Sequence, residues 1–286
     1  MDDEHVGVLL VFVSAAGFGT FATLGALADA AGLSRPTVLL FRFGLATLLV
    51  WTVLGVRGEL TRLRGRNLAV GLGLGAFGYA AISYLYLLGL EYMTAGLVGI
   101  VLYTYPAFVV VIAALVLDES VTRLTGLALV LALGGVALIT GADPAAADPR
   151  GIAVMLAAAL LYAGYITVSR TTLGDVRPRT LSAHVMPAAA VVFLVVTTTT
   201  DSLTLPANAY EWGLVTGIAV LATAIPIFAF FAGLERLGAS RTSILSTLEP
   251  VVTVALGVAV LDERLTVATV AGGVLVLAGV LLVQRR

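Results

Sequence analysis

The chain has 286 residues, 60% of them hydrophobic and 12% charged, with a mean hydropathy of +1.07 and a net charge of −1. Soluble domains carry about 25% charged residues, so an ordinary water-soluble fold is excluded, and the near-neutral balance offers nothing to nucleic acid. All 16 basic residues are arginine and there is no cysteine, which excludes disulfides, thiolate metal sites and cysteine nucleophiles.

Apolar stretches of about 20 residues, enough to cross ~30 Å of hydrocarbon, follow one another along the whole chain. With no water to satisfy their backbones they must be helices. In chain order the predicted spans are 6–28, 36–56, 68–88, 94–117 and 121–140, then 150–170, 180–200, 211–232, 239–261 and 266–284. The N-terminus, Met-Asp-Asp-Glu-His, lacks the basic region of a signal peptide, so the first span is expected to stay in the mature protein. The longest polar stretch inside the chain, Gly141 to Arg150, falls between the fifth and sixth spans and reads as a linker.

The two halves repeat. Residues 89–122 (GLEYMTAGLVGIVLYTYPAFVVVIAALVLDESVT) align without a gap with residues 233–266 (GLERLGASRTSILSTLEPVVTVALGVAVLDERLT). Gly89-Leu90-Glu91 meets Gly233-Leu234-Glu235, Pro106 meets Pro250, Asp118-Glu119 meets Asp262-Glu263, and Thr122 meets Thr266. The same offset of 144 residues pairs Gly7 with Gly151, Phe18 with Tyr162 and Tyr84 with Phe228. Residues 1–140 therefore read as one five-helix repeat, 141–150 as the linker and 151–286 as the second repeat. Five is odd, so the second copy enters the membrane from the opposite side, and the expected fold is an all-α polytopic membrane protein of about ten transmembrane helices in two inverted repeats. With a cytoplasmic N-terminus, inside loops hold twelve arginines (Arg57, Arg62, Arg64, Arg66, Arg123, Arg170, Arg177, Arg179, Arg236, Arg241, Arg285, Arg286) and outside loops three (Arg35, Arg150, Arg264). The positive-inside rule then puts both termini in the cytoplasm.

These features resemble the EamA family of the drug/metabolite transporter superfamily. The resembling residues are Phe18-Gly19, Phe41-Arg42-Phe43 and, in each repeat, a Gly-Leu-Glu turn, a mid-span proline (Pro106, Pro250) and a short acidic turn followed by threonine. The resemblance covers essentially the whole chain. It implies two inverted bundles around a central cavity and transport of small molecules without ATP, its members exporting amino acids, other metabolites and drugs. Because the first, third and fourth spans and their partners line the cavity in similar proteins, it also implies Phe18, Tyr84, Tyr162, Tyr165 and Phe228 as cavity candidates. Phe18-Gly19 has Tyr162-Ala163 as its partner, so the two halves of the cavity are not equivalent here.

The sharpest chemical signal is Glu249, near the centre of the ninth span, where an ionised carboxylate costs several kcal/mol and a short side chain cannot snorkel. It is a candidate for proton exchange; the alternative is a permanently protonated carboxyl bonded to a neighbouring helix. Pro250 lacks an N–H and obstructs the Ser246 carbonyl, so a kink there leaves backbone oxygens and Ser246 free for a ligand. Tyr105 stands where the second repeat has Glu249, and Tyr103 two residues earlier points about 200° away on an ideal helix, so at most one of them is expected to line the cavity squarely.

Arg42 is expected to pair with a carboxylate or substrate or to reach the interface with its long stem, anchor or internal ion pair being favoured over direct binding; a depth difference from Glu249 of about six residues, ~9 Å, makes a bridge between them possible only if both lean. His184, one turn inside the cytoplasmic end of the seventh span, is the second proton-coupling candidate against a plain interfacial hydrogen bond. Pro226 offers a further kink. Gly73-x-Gly75-x-x-Gly78 matches a dinucleotide fingerprint but lies in an apolar span with no preceding strand, and reads as close helix packing. The Asp118-Glu119 and Asp262-Glu263 pairs are expected to cap the helices that follow them.

The reading is a cytoplasmic-membrane exporter of small metabolites, amino acids or related compounds, with the lipid bilayer and, as a candidate, protons as its partners; no catalytic residue, cofactor, metal or nucleic acid is called for. The alternatives are a lipophilic-drug carrier of the same fold, or a membrane-embedded enzyme or receptor using Glu249, which lacks a second mid-membrane acid or nucleophile to complete a site.

Overall fold

The computed structural model describes residues 3–93, 95–141, 148–261 and 265–283, and among them the chain forms helices joined by short turns, with no strand. Ten helical runs follow in order: α1 (Asp3–Ala30), α2 (Arg35–Val56), α3 (Gly65–Gly73, Leu74–Ala80 and Ala81–Tyr92 end to end), α4 (Ala95–Leu102 and Tyr105–Val116) and α5 (Arg123–Thr140). The second half holds α6 (Pro149–Thr172), α7 (Pro178–Thr199), α8 (Ala209–Ala219, Val220–Ala224 and Ile225–Leu237), α9 (Ala239–Leu245, Ser246–Leu248 and Glu249–Leu261) and α10 (Val267–Val283). Each coincides with a span read from hydropathy to within a few residues. Eight are long and apolar enough to cross a membrane, and α5 and α10 are apolar but shorter. Exposed Leu115, Val130, Val191 and Val274 give the outer surface the apolar character that hydrocarbon requires. Most of the inter-repeat stretch, residues 142–147, lies outside the described residues, as do Asp262, Glu263, Arg264, Arg285 and Arg286.

Local chemistry sets the helix ends. Ser34 caps α2 ahead of Pro36, Asp148 caps α6 ahead of Pro149, and Asn208 caps α8 through the Glu211 N–H at 3.0 Å. Thr122 and its repeat partner Thr266 cap α5 and α10, each accepting an N–H three residues on at 3.1 Å. Glu119 is therefore not the cap of α5; its carboxylate goes elsewhere.

The irregular turns recur with the repeat. Wider π-type turns occupy Leu74–Ala80 in α3 and Val220–Ala224 in α8, ending on the partner residues Ala80 and Ala224. The breaks also coincide, at Tyr103–Thr104 in α4 and Ser246–Leu248 in α9. Helix pairs recur with the halves exchanged: α1 packs on α8 and α9, as α6 packs on α3 and α4; α2 meets α8 as α7 meets α3; and α2–α7 and α5–α10 are each a helix with its own partner. The largest core lies among α2, α3, α4, α6, α7 and α8.

Along α5 and α10 the backbones approach closely through glycine. A Cβ added at Gly135 would lie 2.5 Å from the Gly272 carbonyl oxygen, and one at Gly272 would lie 2.5 Å from that of Gly135. The glycines of the tenth helix thus serve packing within the chain. Gly75 and Gly78 do the same for α3, against α7 and Tyr165 of α6. Gly134, next door, faces open space. Gly135→Ala is expected to cost about 1–3 kcal/mol by overpacking, while Gly134→Ala leaves stability unchanged or slightly raised; thermal unfolding of the two variants in detergent checks this.

Candidate functional site

A proline inside a helix withdraws one N–H from the carbonyl four residues back, and in hydrocarbon that oxygen needs another donor. Four prolines do this here: Pro187 in α7, Pro226 in α8, Pro106 in α4 and Pro250 in α9. For the first two, α2 supplies the donor. The Trp51 indole Nε1–H donates to the Ala183 carbonyl, four before Pro187, at 2.7 Å. The Arg42 guanidinium donates from Nη2 to the Ala222 carbonyl, four before Pro226, at 3.1 Å and from Nε to Thr223 Oγ1 at 2.9 Å. Thr223 in turn donates to the Ile218 carbonyl at 2.9 Å, closing the wide turn of α8.

Arg42 is 7% exposed and lies 4.1 Å from the ring centre of Phe21 and 5.2 Å from that of Phe43. It makes no ion pair with Glu249 among the described residues. The expected carboxylate partner is replaced by the Ala222 carbonyl and the Thr223 hydroxyl.

In α4 and α9 the prolines break the helix. Pro106 sits at the start of the resumed segment of α4, after the turn at Tyr103–Thr104, with Thr104 donating to the Val101 carbonyl at 2.6 Å. In α9 the tighter turn Ser246–Leu248 intervenes, with Ser246 donating to the Thr242 carbonyl at 2.9 Å and Thr247 to that of Ile244 at 2.6 Å. Glu249 opens the next segment, Glu249–Leu261. The Glu249 N–H is itself bonded to the Ser246 carbonyl, so the tighter turn joins two helical segments at the mid-span carboxyl. Gly19 of α1 lets that helix cross the break, since a Cβ there would lie 3.0 Å from the Glu249 carbonyl oxygen.

Around this break the aromatic rings form a row. Tyr103 lies within reach of the Glu249 carboxyl and Tyr105 within reach of Ser246. The Tyr103 and Tyr105 ring centres are 6.1 Å apart, because the turn between them cancels the 200° divergence an unbroken helix would impose. Tyr105 is buried against Tyr162 at 4.4 Å; the row continues to Tyr165 at 6.0 Å, Tyr79 at a further 5.1 Å and Phe43 at 5.6 Å. Glu249, Tyr103, Tyr162, Tyr79, Tyr86 and Phe18 are only half-buried.

The described halves of α4 and α9 differ across this point. Ala239–Leu248 of α9 is buried at every residue, whereas its repeat partner on α4 is half-exposed from Gly99 to Thr104. The segments Ala239–Leu245 and Tyr105–Val116 pack together, while Ala95–Leu102 and Glu249–Leu261 scarcely touch. On the α9 N-terminal side of Glu249 the two helices are packed together, and on the other side they are apart.

Three expected residues fall elsewhere. Tyr84 and its partner Phe228 are 63% and 45% exposed on the outer surface, because the inward face of α3 runs through Tyr79 and Tyr86, seven residues or about two turns apart, and Tyr84 is out of phase with it. That spacing was the signal for Tyr79 and Tyr86, which alignment with the second repeat passes over. His184 accepts the Leu63 N–H at Nε2 (3.2 Å) and its Nδ1 meets the Thr180 carbonyl at 2.8 Å, so it ties the α2–α3 loop to α7 away from the cavity.

A model of the EamA-like transporter family matches residues 5–141 and again residues 149–285. An uncharacterized transporter of Archaeoglobus fulgidus is 29% identical over 258 residues, 89% of this chain and 90% of its own. The uncharacterized transporter YcbK of Bacillus subtilis is 29% identical over 252 residues, covering 84% and 80%. A crystal structure at 20% identity superposes with a TM-score of 0.82 over 96% of this chain and 95% of its own, a likeness of fold.

Arg42→Met should destabilise the protein by about 1–3 kcal/mol, the cost of a buried oxygen losing its donor. Pro226→Ala restores an N–H to α8, so the same substitution in that background should cost less. Thermal unfolding of the double-mutant cycle reads the difference, and strict additivity would refute the link between Arg42 and Pro226.

Proposed function

Because the chain belongs to the EamA-like transporter family, we propose that this membrane transporter is a secondary carrier that exports small metabolites, amino acids or related compounds, across the cytoplasmic membrane by alternating access. Family and relatives support a transporter rather than an enzyme. The arginine distribution supports cytoplasmic termini, and the exchange of helix pairs between the halves supports an inverted repeat rocking about the breaks of α4 and α9. In that orientation the closed side of the cavity faces the cytoplasm and the open side faces out.

The observation that carries the reading is Glu249, a half-buried carboxyl at a helix break, beside Tyr103 and with Arg42 already committed to α8. A cavity with one carboxylate, a row of tyrosines and its nearest cation engaged suits a cargo bearing an ammonium group, which the carboxylate and ring faces attract together. The same carboxylate can instead carry a proton inward. One charge crossing 100 mV supplies ~2.3 kcal/mol, enough for a nearly 50-fold gradient. The aromatic lining also favours a second reading, a carrier of lipophilic drugs, which needs the rings and not the carboxylate.

Purified protein in liposomes loaded with a labelled amino-acid and amine mixture, with and without a pH gradient, tests this. Glu249→Gln should reduce gradient-driven export on the order of tenfold, ~1.4 kcal/mol, and remove its dependence on the pH gradient, while Tyr84→Leu on the outer surface leaves it unchanged. Full pH-dependent transport by Glu249→Gln would end the proton-carrier role, and chemical conversion of the cargo would end the carrier reading.

A further inference from the structure

The closed side of the cavity is held by a contact between the halves that neither the repeat pattern nor the transport reading requires. Glu119, in the turn after α4, accepts two backbone N–H groups at the start of α9: Ala239 at 2.7 Å on Oε1 and Ser240 at 3.0 Å on Oε2. Asp118 adopts a left-handed conformation (φ 53°), which reverses the chain and turns Glu119 toward the other half. Gly238 has φ 81°, and a Cβ on it would lie 2.6 Å from Glu119 Oε1, so only glycine leaves room for the carboxylate. No side chain caps α9 locally; the cap comes from across the interface. Two ion pairs reinforce the same corner, Arg241 with Glu4 at 2.7 Å and Arg236 with Asp3 at 3.0 Å.

The repeat partners of this corner are different in kind. At the offset of 144 residues Arg236, Gly238 and Arg241 correspond to Tyr92, Thr94 and Leu97. The first repeat has neither cation, and it has a threonine, a residue type that caps its own helix, where the second has the glycine that admits Glu119. The acid itself is kept, as Glu263. The ion pairs at this corner thus have no counterpart in the sequence of the first repeat, in accord with the full burial of Ala239–Leu248 and the half-exposure of Gly99–Thr104. The hydroxyls of Ser14, Ser240 and Thr242 are buried without a side-chain or backbone partner among the described residues. Their desolvation is a cost of closure that opening to water would relieve.

We propose that Glu119 is a positioning residue for transport, a latch that holds the N-terminal half of α9 against α4 and keeps the cavity closed on that side. Releasing its carboxylate frees the α9 N-terminus, lets Ser14, Ser240 and Thr242 hydrate, and opens the cavity to the cytoplasm. The inference rests on the alternating-access reading and adds to it the residue that sets the balance between the two states.

The absence of cysteine from the sequence allows a direct test. A single cysteine is placed at Thr242, fully buried in the closed half, or at Val101, half-exposed in the open half, and reacted with a membrane-impermeant maleimide applied to either face of oriented vesicles. Glu119→Gln and Glu119→Ala should each raise the labelling rate of Thr242→Cys from the cytoplasmic face by about tenfold, as expected for loss of charge-assisted bonds, and lower that of Val101→Cys. Gly238→Ala, which displaces the carboxylate sterically, should do the same. If Glu119 only caps a helix, its variants lower the melting temperature and leave both labelling rates unchanged, which overturns the latch. The same vesicles are assayed for export of the amino-acid and amine mixture by the parent protein. Export with unaltered labelling in the variants overturns the latch alone, and an absence of parent export overturns the carrier reading beneath it.

Discussion

The rest of the structure depends on one constraint: a helix in hydrocarbon has to satisfy every backbone oxygen from within the protein. Proline violates it, and the chain resolves the violation in two ways. In α7 and α8 the orphaned carbonyls of Ala183 and Ala222 are taken up by Trp51 and Arg42 of α2, so the prolines become points of attachment between the halves. In α4 and α9 the helix stops and restarts. The first solution makes a rigid wall and the second makes a place where two half-helices can part. The distinction lies in the neighbouring helix, since proline does the same to its own backbone in all four.

The break in α9 explains how a glutamate is tolerated at mid-span. Glu249 follows a tighter turn in a helix that continues on either side of it, with the Tyr103 phenol in reach. The corresponding position in α4 is Tyr105, buried against Tyr162. Duplication supplied two equivalent breaks, and divergence left one apolar and packed while the other became the half-exposed acid. The α4 and α9 segments on one side of the breaks are interlocked and those on the other are apart.

Much of this was legible in the sequence. Ten spans, the gapless alignment, the prolines at matching positions and the isolated Glu249 follow from hydropathy, periodicity and spacing, all of which act along the chain. What was misplaced depended on phase or on a distant partner. Tyr84 and Phe228 align well yet face outward, because alignment conserves position along a helix and not the function of its face. Arg42 looked like a partner for a carboxylate, and Glu119 like a cap for the helix after it; each found its partner in another helix, more than a hundred residues away in sequence. His184, read as an interfacial hydrogen bond or a proton-coupling candidate, bonds to the Leu63 N–H of a distant loop.

By itself, then, the sequence determined which segments form long apolar helices, that its two halves align, and where prolines interrupt them, because these follow from local chemistry along the chain. Tertiary structure alone decided which freed carbonyl receives which donor, which tyrosines turn toward Glu249, and which end of the cavity is shut. Those outcomes depend on the distances between helices, and no pattern within one helix encodes the position of its neighbour.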